Sequence, residues 1–139
     1  LDIYKRIAAI ETREEYEDMM EELLDRFGEP PKMVQNLLAV ASLKAMAHRI
    51  YLTEVKQLDD SLKLTMYERA KIDTTKIPEI LNQYPDELQF KVEKTNPYFI
   101  YRPRNRRAKD TVPMLEKATE LLTAMQGLVQ IETTSVKKD

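Results

Sequence analysis

Apolar residues recur with a helical period in the first third of the chain. Over residues 13–27 they stand at i, i+3, i+4 and i+7, which predicts an amphipathic helix. Thr12 with Glu15 three residues later forms a capping-box pattern at its start, and Gly28 marks its end. The apolar stripe consists of Tyr16, Met19, Met20, Leu23, Leu24 and Phe27. We expect this stripe to face the core and the charged residues between its members to face solvent.

The pattern farther along the chain predicts one more long helix and then a sheet. Residues 32–51 are apolar on most sides, which is typical of a helix at the centre of a domain. From residue 53 apolar and polar residues alternate, and this predicts strands. We expect strands at 53–58, 62–67, 87–93 and 98–102, a helix at 75–84, and a last helix at 111–126 that Asp110 caps.

These elements predict an α+β fold, with N-terminal helices followed by a small antiparallel sheet with intervening and C-terminal helices. No repeat or linker divides the chain, so we expect one domain over 1–130 and a frayed tail over 131–139. The first residues have helical spacing but no start methionine, and we expect an upstream portion to be missing.

Composition excludes several kinds of chemistry. The chain of 139 residues has no cysteine, which excludes disulfides and thiolate sites, and it has no apolar run of membrane-spanning length. Its two glycines are too few for a loop that binds phosphate through several amides. The single histidine, His48, lies in an apolar segment and is expected to be a packing or hydrogen-bonding residue. The lack of cysteine fits a reducing compartment, and we predict a non-catalytic chain without metal, cofactor or membrane segment.

Net charge is only −2, yet two segments carry strong local charge. Residues 11–29 contain nine acidic residues and two arginines. Within them Glu22, Asp25 and Arg26 are neighbours on the helix surface opposite the apolar stripe. They either form an intrahelical ion pair between Glu22 and Arg26 or offer a docking site to a basic partner surface.

The second charged segment follows an aromatic strand. Tyr98, Phe99 and Tyr101 precede a run of basic residues, which consists of Arg102, Arg104, Arg106, Arg107 and Lys109. Arginine side chains beside aromatic rings are typical of nucleic-acid contacts. A solvated loop whose charges balance the acidic helix is the alternative interpretation.

Three stretches at fixed spacing carry a family resemblance. "YKRIA" at 4–8, "EELLDRFGEPP" at 21–31 and "NLLAVASLKAMAHRI" at 36–50 resemble the C-terminal domain of the bacterial transcription-repair coupling factor family. The resemblance is strong over 1–52 and looser beyond. Members of this family are large ATP-driven DNA translocases that displace stalled RNA polymerase at lesions and recruit excision repair.

The resemblance implies a regulatory role. In the family, ATP and magnesium bind to motor domains upstream, and the C-terminal domain packs against the N-terminal module of the same polypeptide. There it covers the surface that recruits the damage-recognition ATPase of excision repair, until engagement with RNA polymerase opens the protein. The family's contact residues fall on Glu22, Asp25 and Arg26. The alternatives are a nucleic-acid-contacting module through Arg102–Lys109 and a structural cap that only stabilises the motor.

Overall fold

The computed structural model describes residues 2–93, 95–104 and 114–129, and the predicted cap Asp110 and tail 131–139 lie outside these ranges. Its residues cluster into two compact units, 1–49 and 50–139, which we call unit 1 and unit 2. Helices precede and follow a sheet, so the predicted α+β class is confirmed. Whether the chain behaves as one domain stays a prediction.

Unit 1 contains three described helices: α1 (Asp2–Ala8), α2 (Arg13–Phe27) and α3 (Lys32–Arg49). The predicted capping box is present, because Thr12 Oγ1 accepts the Glu15 N–H at 3.1 Å and Glu15 Oε1 accepts the Thr12 N–H at 3.2 Å. Gly28, with φ +73°, ends α2 and donates its N–H to the Leu24 carbonyl at 3.0 Å. Both ends of α2 were predicted correctly.

The core of unit 1 takes residues from all three helices and from the α1–α2 connection; they are Ile7, Ile10, Met19, Leu23, Val34, Leu38 and Ala41. Two members of the predicted stripe are not part of it, since Leu24 is 52% exposed and Phe27 is 57% exposed. The stripe spans about 140° of the helix at 100° per residue, which is wider than one contact face. The packing covers the side of the stripe at Met19 and Leu23, and it leaves Leu24, at the opposite edge, and Phe27, in the last turn, in solvent.

Helix α3 is less central than predicted. It buries Val34, Leu38, Ala41, Ala45 and Ala47, whereas Met33 is 66% exposed and Val40 is 53% exposed. His48 is also exposed, so it is not packed in the core, and the other predicted role, hydrogen bonding, stays a prediction. The reason is that a helix with apolar residues on most sides can still contact its neighbours along only one of them.

Unit 2 is built on a four-stranded antiparallel sheet in the described residues, in the order β1-β2-β4-β3. The strands are β1 (Leu52–Leu58), β2 (Ser61–Met66), β3 (Leu88–Lys91) and β4 (Tyr98–Tyr101). The helices are α4 (Ile77–Gln83) and α5 (Met114–Met125), and short 3-10 turns stand at Thr74–Lys76 and Gln126–Leu128. No helix in the described ranges is both long enough and apolar enough for a transmembrane span.

The register of the strands separates two faces of the sheet. Leu64 pairs with Phe99 and Leu62 with Tyr101, which puts these buried side chains on the inner face. The ring of Tyr84, which follows α4, meets the Tyr101 ring edge-on at 6.2 Å between centroids. Residues that alternate with the inner ones form the opposite face, which we call the outer sheet face. It includes Lys56, Lys63, Lys91 and Tyr98, together with Glu54, Thr65, Gln89 and Ile100.

Candidate functional site

Glu22, Asp25 and Arg26 lie together on the outside of α2, and we call them the docking trio. Their helix turns Met19 and Leu23 into the core, which leaves Asp25 on the opposite side and Glu22 and Arg26 on the flank between the two. Asp25 is exposed, and the side chains of Glu22 and Arg26 are 32% and 59% exposed. All three are accessible to a partner surface.

Two arginines hold Glu22 in place. Arg6 on α1 donates from Nη1 at 2.8 Å and from Nη2 at 2.5 Å, a bidentate pair across the two helices. Arg26 Nη1 donates to Oε2 of the same carboxylate at 3.0 Å. These hydrogen bonds, those from Arg6 first, lower the pKa of Glu22 to about 2. Glu22 is therefore a fixed anion at ordinary pH.

Arg6 is the member of this cluster that sequence reasoning missed. The pair of Glu22 with Arg26 follows from helical spacing, and it was one of the two interpretations left open. Arg6 stands 16 residues before Glu22 on another helix. No periodicity along the chain relates the two residues, so only the packing of α1 beside α2 brings them together.

Asp25 differs from Glu22 in that it forms no ion pair with any other described residue. The Arg26 guanidinium lies 5.2 Å from the centre of the Phe27 ring, so its stem follows an apolar surface while other N–H donors remain available. The trio, with Asp18, Glu21 and Leu24, lines an open depression. Chemically, it offers a carboxylate for a basic group and a guanidinium for an acidic group, beside the exposed side chains of Leu24 and Phe27.

The predicted basic loop is only partly described. Arg104 contacts its own chain: Nη2 donates to the Pro85 carbonyl at 2.7 Å, and the backbone N–H donates to Glu87 Oε2 at 2.8 Å. Its guanidinium also lies 3.6 Å from Asp86. Arg102 is exposed at the end of β4. Arg106, Arg107 and Lys109 lie outside the described residues, and their predicted contact with nucleic acid stays a prediction.

Other candidate chemistry is sparse. His48 lines a depression of about 350 Å³ together with Arg13, Glu17 and other residues at the start of α2. Within the described ranges, no three His, Asp or Glu side chains are grouped so that they could hold a metal ion. The absence of a cofactor stays a prediction.

The comparisons with known proteins agree with the resemblance. The family model for the TRCF domain matches residues 1–77, more than half of the chain and all three helices of unit 1. The chain belongs to the TRCF domain family. Transcription-repair-coupling factors of Bacillus subtilis and Borreliella burgdorferi are 37% identical over 95 residues and 35% identical over 86 residues. These matches cover 67% and 62% of the chain. The chain spans about 8% of the length of either relative.

A solved structure supports the fold of this TRCF domain. The crystal structure of the C-terminal domain of a transcription-repair coupling factor matches with a TM-score of 0.59 at 23% identity. The match covers 90% of this chain and 79% of that one, so it includes both units. It extends the similarity beyond residue 77, where the family model ends.

Proposed function

We propose that the chain is the regulatory docking domain of a transcription-repair coupling factor, and that it performs no catalysis itself. The docking trio packs against the N-terminal module of the same polypeptide and masks the surface that recruits the damage-recognition ATPase of excision repair. Membership of the TRCF family supports the identity of the parent. The exposure of the trio supports the location of the contact.

The observation that carries this proposal is the state of Asp25. It is an exposed carboxylate without a partner among the described residues, and it stands beside a carboxylate that two arginines already hold. Because Arg6 and Arg26 fix Glu22, the neighbouring charges are ordered before a partner arrives, which lowers the entropy lost on binding. A basic side chain of the partner would pair with Asp25, and an acidic one with Arg26.

The same geometry suits a mask that must be released. An interface centred on exposed charges has a modest affinity, because each exposed ion pair contributes only about 0.2–1 kcal/mol. Covalent linkage raises the effective concentration of the module toward the millimolar range, so a weak contact is enough to keep the parent closed. The damage-recognition ATPase competes for the masked surface once RNA polymerase opens the protein.

Membership of the family also suggests what the remainder of the parent protein does. We propose that motor domains elsewhere in the polypeptide bind ATP and Mg²⁺ and move along DNA to displace stalled RNA polymerase in the bacterial cytoplasm. The chain needs no cofactor for its share of this work, since a mask acts by contact alone.

A charge exchange in the full-length protein tests the proposal. Asp25→Arg with Arg26→Asp reverses two of the three charges of the docking trio and leaves net charge unchanged. We expect several-fold tighter binding of the damage-recognition ATPase and a several-fold rise in basal ATP turnover, because the like charges now facing each other would open the closed state. Calorimetry or a pull-down measures the first quantity, and a coupled ATPase assay measures the second.

The matched control is a second exchange on the same helix. Arg13 and Glu17 form an exposed ion pair with 2.9 Å between Arg13 Nε and Glu17 Oε2. Arg13→Glu with Glu17→Arg preserves that pair, and both measured quantities should remain at wild-type values. If the Asp25/Arg26 exchange also left both quantities unchanged, the mask would lie elsewhere and the proposal would fail.

A further inference from the structure

The outer sheet face carries lysines where the strand register brings like charges together. Lys56 on β1 is directly paired with Lys63 on β2. Like charges in directly opposite positions destabilise a sheet. Lys91 on β3 pairs with Tyr98 on β4 and adds a third cation to the same face. The fold tolerates an unfavourable arrangement here, and a bound anion would relieve it.

The three lysines of this face, Lys56, Lys63 and Lys91, are not neutralised by ion pairs with described residues. Glu54 shares the face at its β1 side. Glu93 accepts the Tyr98 hydroxyl at 3.2 Å, and Glu87 accepts the Arg104 N–H. Both donors are neutral, so these carboxylates keep their negative charge at the β3 side of the face. The three lysines leave the centre of the face positive.

An aromatic ring and further polar groups lie among the lysines. The Lys63 ammonium is 4.4 Å from the centre of the Tyr98 ring. Ile100 lies between Lys63 and Gln89 in the register and is buried. The Arg102 N–H donates to the Glu87 carbonyl at 2.8 Å, which extends the β3–β4 ladder by one pair and puts Arg102 on the outer face by alternation.

We propose that the outer sheet face binds single-stranded nucleic acid, with Lys56, Lys63 and Lys91 on its phosphates and Tyr98 against a base. Cations that follow the backbone, combined with an aromatic ring for stacking, are the features of such sites. This site is in unit 2 and does not depend on the docking trio, which is in unit 1.

The chemistry of the face disfavours other occupants. The major groove of duplex DNA admits a helix or a two-stranded ribbon, and a four-stranded sheet about 14 Å across is too wide for it. Lysine is depleted from protein interfaces, whose centres are aromatic and apolar. Single-stranded nucleic acid can instead lie across β1, β2, β4 and β3 and contact the three lysines in turn.

Fluorescence anisotropy with a labelled oligothymidylate of about 20 nucleotides tests the proposal on the whole chain. Binding should be saturable in about 50 mM salt and weaken as salt rises, with a log–log slope of about −2 to −3 for three or four phosphate contacts. Lys56→Gln with Lys63→Gln should reduce affinity at least tenfold and make the slope shallower by about 1.4. Lack of binding in 50 mM salt would overturn the proposal.

Matched variants show whether binding depends on this face or on positive charge anywhere in the chain. Arg69→Gln with Lys76→Gln removes the same charge from exposed positions outside the strands and should retain wild-type affinity. An equal loss in that variant would overturn the proposal, as would tighter binding of a duplex of the same length. Displacement of the oligonucleotide by polyglutamate at equal charge concentration would assign the face to acidic proteins instead and would also overturn it.

A variant of Tyr98 tests the contribution of base stacking separately from that of charge. Tyr98→Leu keeps an apolar side chain on β4 but removes the aromatic face. Affinity should fall at least fivefold while the salt slope stays constant, because stacking contributes without neutralising a phosphate. An unchanged affinity would remove Tyr98 from the site. Circular dichroism and thermal melting show whether each variant is folded.

Discussion

At the scale of single residues, the decisive feature is the fixing of Glu22 by Arg6 and Arg26. Helical spacing predicts the Arg26 contact, because it depends only on neighbours within four positions. The Arg6 contact depends on how α1 lies against α2, which no local pattern encodes. The exposure of Asp25 could be predicted from the sequence, whereas the ordering of the charge beside it could not.

The titration of Glu22 gives a prediction with a definite sign. Its pKa falls from 4.5 to about 2 on folding, so the charged form contributes stability above pH 4.5 and loses it as pH falls toward 2. Glu22→Gln should lower the melting temperature at neutral pH by a constant amount down to about pH 5.5, and the difference should shrink below pH 4.5. Thermal melts over this range measure it.

Glu68→Gln is the control for this titration. Glu68 is exposed in a turn and forms no ion pair with the other described residues. Its removal leaves both arginine contacts of Glu22 in place and should not reproduce the loss of melting temperature at neutral pH. A Glu22→Gln difference that persisted unchanged at low pH would show that the arginine contacts do not form in solution.

At the scale of elements, the ends of α2 could be predicted and the sheet order could not. Thr12, Glu15 and Gly28 act on backbone groups within a few residues, so their roles are visible in the sequence. The order β1-β2-β4-β3 depends on contacts between distant segments. The exposure of Leu24 and Phe27 could not be predicted either, because the width of an apolar stripe does not say how much of it neighbouring helices cover.

Gly28 allows a test of helix termination. Its φ of +73° with ψ −146° is a conformation that is essentially limited to glycine, and a Cβ there would meet no atom within 4 Å. Gly28→Ala should therefore cost about 1–3 kcal/mol through backbone strain alone. Denaturant unfolding measures this cost.

Gly127 is the matched control for Gly28. It lies in the 3-10 turn after α5 without a positive φ, and a Cβ there is equally free of contacts. Gly127→Ala should be neutral or stabilise the fold by up to about 1 kcal/mol, because alanine lowers the entropy of the unfolded chain. Equal destabilisation by both substitutions would rule out φ as the cause.

At the scale of the whole molecule, the division near residue 50 was not predicted. Arg49, Ile50 and Tyr51 contain neither proline nor glycine, so no linker signal marks the place. In the structure, the division coincides with a positive φ at Tyr51, +64°. Unit 1 contains ten acidic and seven basic residues, whereas three lysines lie together on the outer sheet face of unit 2. A net charge of −2 therefore conceals an uneven distribution of charge between the units.

Hydrogen exchange tests whether the units open separately. Leu23 is 3% exposed in the core of unit 1, and Leu23→Ala should cost about 2–5 kcal/mol there. We expect amides of unit 1 to lose protection while those of unit 2 keep it. Leu24→Ala, one position along and 52% exposed, should change protection by about 0.5 kcal/mol or less. Equal loss of protection in both units would show one cooperative domain.

The strand order has a consequence for solubility. β1 and β3 stand at the two margins of the described sheet, and each presents unpaired backbone groups that another copy could use to add a strand. Lys56 lies on one margin and Lys91 on the other, and lysine on such strands is a common natural defence against aggregation. We therefore expect these two ammonium groups to oppose edge-to-edge association of two copies, whereas Lys63, on an interior strand, should have no part in that protection.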